Sequence, residues 1–258
     1  MDTEPQHLER DPSSTPATGK EEGSRSVRMA RFPEFLRTLS WRRAATLGVL
    51  GTAALLLFSA FVVQPFLIPS GSMEPGLQVG DRVLVNKLAY RFGTEPQRGD
   101  VVVFDGTGSF VQEPARENPL AGLAHGAAAA LGLAEPAETD FVKRVVGVGG
   151  DRVVCCDKGG KVEVNGRAID ERYVHFGDVP SSAPFDIVVP SGTLWVMGDH
   201  RSNSRDSRDH LGQPGGGTVP VGKVIGRVDW IGWPLGRWAS LEPTDAFWDV
   251  RDPDGAHG

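Results

Sequence analysis

The chain has 258 residues, enough for one sizeable domain or two small ones, and its 40% apolar residues can fill a packed core. A net charge of −6 with no long Lys/Arg run excludes a nucleic-acid surface as the main business of the molecule. A disulfide framework is also excluded. The two cysteines are the neighbours Cys155 and Cys156, and adjacent Cα atoms about 3.8 Å apart fall short of the roughly 4.4 to 6.8 Å of an unstrained bridge. They read as small apolar residues ending a strand, with a redox-active pair as the alternative.

Residues 1–43 are expected to form a disordered tail. Up to about residue 27 they are Glu, Asp, Ser, Thr, Pro and Gly, too polar to offset chain entropy by burial. Phe32, Phe35, Leu36 and Leu39 then alternate with arginines, a pattern that suits a membrane surface or a lead-in to the next segment. From Ala44 to Val63 there are 20 residues without a charge. At about 1.5 Å per residue such a helix covers ~30 Å, so a transmembrane helix is predicted over 44–63, a buried core helix being the alternative. A cleaved secretory signal fits less well, because 43 residues precede the apolar run and no small-x-small site follows it. Arg37, Arg42 and Arg43 lie before the run and no cation follows until Arg82, which places the N-terminus in the cytoplasm and the rest outside.

Residues 64–240 read as one β-rich domain. Short β-patterned runs cover Arg82 to Lys87, Val101 to Phe104, Asp140 to Gly147, Arg152 to Cys155, Ile187 to Pro190 and Thr193 to Met197. In Val162-Glu163-Val164-Asn165-Gly166-Arg167, Asn-Gly supplies the positive φ angles of a tight hairpin turn. Residues 105–138 shift to Ala, Gly, Pro and Glu and are expected to be an inserted loop. Trp230, Trp233 and Trp238 suit a membrane interface or an ordinary core. The run from Val228 to Leu241 is too short and interrupted for a second span, and residues 241–258 are expected to be a tail.

The chemistry-bearing residues stand in three places. Phe66-Leu67-Ile68-Pro69-Ser70-Gly71-Ser72-Met73-Glu74-Pro75 is an apolar stub running into a constrained turn that can present a hydroxyl, although such Pro-Ser-Gly-Ser runs are also common linkers. Asp140-Phe141-Val142-Lys143-Arg144-Val145-Val146-Gly147 is followed by Gly149-Gly150-Asp151. The third is Gly198-Asp199-His200-Arg201-Ser202-Asn203-Ser204-Arg205-Asp206-Ser207-Arg208. In this order, after this kind of apolar segment, they resemble the signature boxes of bacterial type I signal peptidases over roughly Ala44 to Gly236. The tail and the insertion lie outside the resemblance.

The resemblance implies a mainly β fold: an antiparallel β-sheet catalytic domain preceded by one N-terminal transmembrane helix, single-pass in the plasma membrane with the domain outside. It implies a serine endopeptidase that removes signal peptides from secretory preproteins, with Ser72 as nucleophile and Lys143 as its base. It further implies an oxyanion hole from the Ser70 hydroxyl and the Ser72 backbone N–H, a lysine-orienting Ser204, and support from Gly198, Asp206 and Arg208. Phe66, Ile68, Pro69, Met73, Leu77, Phe141 and Val142 match substrate-contacting positions, although ordinary core packing uses the same residue types. A peptide would add as a strand between 66–69 and 140–142 and be read at alternate positions, small residues entering at the first and third before the cut. No metal, organic cofactor, nucleic acid or obligate protein partner is expected, only preproteins and membrane lipid.

A lysine serves as base only when neutral, so its pKa must fall from about 10.4 towards 7 or 8, and burial among Phe141, Val142, Val145 and Val146 can supply that. A Ser-His-Asp arrangement using His200 or His210 with Asp199 or Asp206 is the alternative. A self-cleaving repressor-type protease and a catalytically silent tethered binding protein are the rival functions. Two departures are visible: the third box commonly reads Gly-Asp-Asn-Arg-Asp-Asn-Ser, and here His200 and Ser202 replace the first Asn and the second Asp. The serine removes any salt bridge from position 202.

Overall fold

The computed structural model describes residues 40–111, Ala128 and residues 139–253. The expected tail up to residue 39 and most of the expected insertion lie outside the described residues. The chain divides into two units, residues 1–47 and 48–258. The described part of the first is the opening of helix α1 (Trp41–Phe61), where the Thr46 hydroxyl donates to the Arg42 carbonyl over 2.8 Å. α1 has 21 residues, is rich in Leu and Ala and carries no charge after Arg43. By hydropathy no helix among the described residues is long and apolar enough to cross a membrane, against the expectation for 44–63. Arg42 and Arg43 occupy its first turn, Thr46, Gly48, Gly51 and Thr52 dilute its apolar run, and strand begins at Val63.

The second unit is mainly β, and its strands pair antiparallel. In chain order they are β1 (Val63–Leu67), β2 (Arg82–Asn86), β3 (Val101–Asp105), β4 (Asp140–Val148), β5 (Arg152–Cys155), β6 (Val162–Val164), β7 (Arg167–Ala168), β8 (Phe185–Val188), β9 (Thr193–Met197), β10 (Val219–Pro220), β11 (Val224–Trp233) and β12 (Ala239–Ser240). One sheet runs β1-β2-β11-β3-β4-β9-β10 with β12 on β11, and a smaller one runs β7-β6-β5-β8. The β6–β7 turn takes φ of 51° at Asn165 and 76° at Gly166, as the Asn-Gly pair predicts.

β11 has no counterpart among the expected strands. Arg227 and Asp229 interrupt its apolar pattern, and register shifts at both Val228/Trp230 and Ile231/Trp233 spoil simple alternation. Its Gly226 is a packing requirement, since a Cβ there would come within 2.5 Å of the Asn86 carbonyl oxygen on β2.

Three buried apolar clusters hold the sheets. Val101 to Phe104 are buried at every position, which marks β3 as an inner strand covered on both faces. Burying a side chain such as Phe104 contributes about 1.5 to 3 kcal/mol. Val102 and Phe104 belong to one cluster with Phe110, Val145 and Val196, and Val101 and Val103 to a second with Phe66, Ile68, Met73, Leu77, Val83, Val85, Val228 and Ile231. A third joins the small sheet to Trp195 and Met197 of β9 and includes Phe247 and Val250. Residues 241–253, expected as a tail, therefore help close the core.

Cys155 and Cys156 are joined in a disulfide across a cis peptide bond. This corrects the expectation of an unbridged pair, which considered only the trans spacing of neighbouring Cα atoms. Asp151, in the turn before β5, is fully buried and accepts from Arg98 at 2.6 and 2.7 Å, Asn165 at 2.8 Å and the Val148 backbone at 2.8 Å. Four donors on one carboxylate tie β4 to the small sheet, because a buried charge is tolerated only when paired and hydrogen-bonded.

Candidate active site

Ser72 sits in a single 3-10 turn, Gly71–Met73, which follows β1 once Pro69 has ended the extended run. Lys143 lies on β4 opposite Val102 of β3. Both side chains are buried, Ser72 at 7% and Lys143 at 4% exposure, and Lys143 Nζ lies 2.9 Å from Ser72 Oγ. The amine also donates to the Val142 carbonyl over 3.0 Å, which fixes its direction.

Burial pushes the Lys143 amine down from 10.5 to about 8. Asp206 and Asp199 act the other way, favouring the ammonium form, and Arg208 adds to the lowering. Desolvation wins because both carboxylates are already neutralised by arginines. With a pKa of about 8, roughly a tenth of the amine is neutral at pH 7. An uncharged amine 2.9 Å from a hydroxyl can take its proton, the requirement for turning serine into a nucleophile.

The segment after β9 forms the back wall through three bidentate arginine–carboxylate pairs. Arg144 donates to Asp199 at 2.8 and 2.6 Å, to the Gly99 carbonyl at 2.8 Å, and lies over the Tyr173 ring at 4.2 Å. Arg208 grips both oxygens of Asp206 at 2.8 Å. Arg201 holds Glu171 at 2.9 and 2.5 Å. Asp206 also accepts from the Gly198 N–H at 2.9 Å and from the Ser204 hydroxyl at 2.8 Å, while Arg201 donates to the Gly198 carbonyl at 2.9 Å. Gly198 is thus gripped on both backbone groups.

A Cβ at Gly198 would collide with Ser204 Oγ and come within 2.5 Å of the Ser72 carbonyl oxygen. Gly198→Ala is therefore expected to cost about 1 to 3 kcal/mol of stability through overpacking, and to displace the turn that carries Ser72. Thermal unfolding together with a peptide-cleavage assay checks this; a variant with unchanged melting and turnover would show that the contact relaxes freely.

The expected site residues fall into distinct places. Ser72, Lys143, Gly198, Ser204, Asp206 and Arg208 come together through the contacts described. The Ser204 hydroxyl is directed at Asp206, while the amine's bonds go to Ser72 and Val142. Ser70 is exposed, with its Oγ 3.4 Å from Ser72 Oγ, beyond the usual range of a hydroxyl hydrogen bond. Phe66, Ile68, Met73 and Leu77 pack in one buried cluster with Val142 at its margin. Phe141 belongs elsewhere, stacked on Phe104 at 5.8 Å and edge-on to Phe110 at 5.4 Å. Pro69 is exposed.

Neither histidine forms a Ser-His-Asp relay. Asp199 is taken by Arg144 and Asp206 by Arg208; His200 Nδ1 faces the Gly71 carbonyl at 3.2 Å, and His210, buried, stacks on Phe110 at 4.2 Å. At position 202, Ser202 Oγ donates to the Asp178 carboxylate at 2.7 Å, a hydroxyl–carboxylate bond in place of an ion pair. Sequence reasoning missed Glu171, Tyr173 and Gly99, whose arginine partners Arg201 and Arg144 lie 29 or more residues away, where no local pattern links them.

Residues 41–233 match the family model described as signal peptidase, peptidase S26. The signal peptidase I of Mycobacterium tuberculosis is 37% identical over 246 residues, covering 87% of this chain and 83% of its own. That of Leptolyngbya laminosa is 32% identical over 237 residues, covering 91% and 97%. A solved signal peptidase I from Enterococcus faecalis V583 is 22% identical, covers 52% of this chain and 97% of its own, and superposes with a TM-score of 0.32.

Proposed function

Since the chain belongs to the peptidase S26 signal peptidase family and is a serine peptidase of the signal peptidase I kind, we propose that it removes signal peptides from secretory preproteins through Ser72 and Lys143. The observation that carries the reading is the buried 2.9 Å contact between the Lys143 amine and the Ser72 hydroxyl, with the amine lowered to about 8. Neutral Lys143 takes the hydroxyl proton as Ser72 Oγ attacks the scissile carbonyl. The protonated amine then returns a proton to the leaving amine, and water hydrolyses the acyl-enzyme by the same path in reverse.

The Ser70 hydroxyl, together with the Ser72 N–H, receives the developing oxyanion; its exposure and extended backbone leave it free to rotate there. Asp206, held by Arg208, positions Ser204 and Gly198 against the nucleophile's turn. No metal or organic cofactor takes part in these steps.

Two strand edges support the mode of substrate entry. β1 pairs with β2 and ends its sheet, while the stretch 140–143 of β4 pairs with β3 before β9 joins at Arg144. Val142 packs into the cluster that holds Phe66, so the two edges share apolar contacts. A peptide adding along these edges sends alternate side chains inward, where the packed cluster admits only small ones. In detergent, the protein is expected to cut a preprotein with Ala at the first and third positions before the cleavage point. Phe at the first is expected to reduce turnover at least a hundredfold. Equal cleavage of the two substrates would overturn the reading of specificity.

Attachment to the membrane rests on exposed apolar side chains. α1 leaves Leu47, Val49, Leu50, Leu55, Leu57, Phe58 and Phe61 more than half exposed, and Trp230, Trp233 and Trp238 are open on the β-rich unit. Such surface is favoured in lipid and disfavoured in water. With Arg42 and Arg43 at its start, the arrangement favours a cytoplasmic N-terminus and an external catalytic domain.

A further inference from the structure

Glu74, His175 and His200 converge beside the Ser72 turn, although 100 residues separate the first two in sequence. One donor atom from each, an oxygen and two ring nitrogens, lie within 4.8 Å of one another. The two imidazoles stack with centroids 4.0 Å apart and planes 10° from parallel. Glu74 Oε2 lies 3.6 Å from His200 Nδ1, and all three residues are half-buried.

Their backbones are fixed by the surrounding fold. The Glu74 N–H donates to the Gly71 carbonyl at 3.1 Å, the His175 N–H to the Asp199 carbonyl at 2.9 Å, and the His200 N–H to the Ser72 carbonyl at 3.1 Å. The Gly71 carbonyl also lies 3.2 Å from His200 Nδ1, so backbone crowds the same corner of the ring that faces Glu74. Asp178 stays outside the set, its carboxylate taken by the Ser202 hydroxyl at 2.7 Å and backbone at 3.1 Å.

We propose that Glu74, His175 and His200 bind one divalent transition-metal ion of the zinc class, with water completing a four-coordinate shell. Two neutral imidazoles and one carboxylate are the donors such a borderline ion prefers, whereas Mg²⁺ and Ca²⁺ require mostly oxygen. Bonds of about 2.0 to 2.2 Å in a tetrahedral site place donors about 3.4 Å apart. Side-chain rotation of roughly an ångström closes the set from its present spacing while the backbones stay in place. His200 replaces the asparagine usual in the third box, and an imidazole binds zinc where an amide does so poorly. The proposed ion is separate from the Ser72 chemistry.

The test uses the untagged, full-length protein in detergent after metal removal, titrated with Zn²⁺ by calorimetry and with Co²⁺ as a spectroscopic stand-in. The expected result is one Zn²⁺ per chain, an upward shift in thermal unfolding on binding, and no comparable response to Mg²⁺. His175→Ala and, separately, Glu74→Gln are expected to weaken Zn²⁺ binding at least tenfold and to remove the thermal shift. Circular dichroism in chelator checks folding, and His175→Gln, closer in volume, is expected to show the same loss should the alanine variant melt early. A wild-type chain that binds no Zn²⁺, or folded variants that bind it with unchanged affinity, would overturn the proposal.

Discussion

Ser72→Ala is expected to lower kcat for preprotein processing by about 10⁶-fold, the scale on which a serine peptidase loses activity with its nucleophile. The change deletes one buried oxygen and leaves the turn intact, because the turn is held by bonds to backbone atoms: the Glu74 N–H on the Gly71 carbonyl and the His200 N–H on the Ser72 carbonyl. Binding of a signal peptide should therefore survive. Single-turnover processing and peptide binding measured on the same preparation separate the two. Residual turnover within a hundredfold of wild type would mean that another group attacks the peptide bond.

Lys143→Met carries the second large effect, a loss of about 10⁴-fold in kcat, the upper range for removing a positioned general base. It has an opposite consequence for stability. The folded-state pKa of about 8 lies below the unfolded value of 10.5, so between those values the unfolded chain holds more protons and unfolding becomes harder as pH rises. Below about pH 8 the chain bears the whole cost of a buried ammonium, on the order of 3 kcal/mol from the two values. The methionine variant is thus expected to be more stable than wild type below pH 8. That advantage should fade as pH climbs from about 8 to 10.5.

In the wild type the same pKa sets the rate profile. Processing should rise about tenfold per pH unit below 8 and level off above it. Urea unfolding across pH and a pH–rate series check both halves. An inflection near 10 would describe a solvated lysine and remove the basis for the dyad.

The same lysine shows how far the sequence reaches. Its apolar neighbours Val142, Val145 and Val146 were legible as a strand, and the strand period set Lys143 and Arg144 on opposite faces; Arg144 accordingly turns to Asp199 while Lys143 meets Ser72. The Asn165-Gly166 turn was equally legible, since it depends on two residues alone. β11 was not, because its bulges are imposed by β2 and β3 and leave no clean alternation.

Local order along the chain, then, determined where strands begin and turn, which hydroxyl sits on a constrained turn, and which lysine has apolar company. These properties depend on bond geometry and on residues within a few positions. Only the tertiary structure decided that Ser72 and Lys143, 71 residues apart, meet at 2.9 Å, that Asp199 and Asp206 are claimed by arginines, and that Glu74, His175 and His200 share one corner. Distances of that kind follow from sheet order and from the packing of buried clusters, which no local stretch of sequence contains.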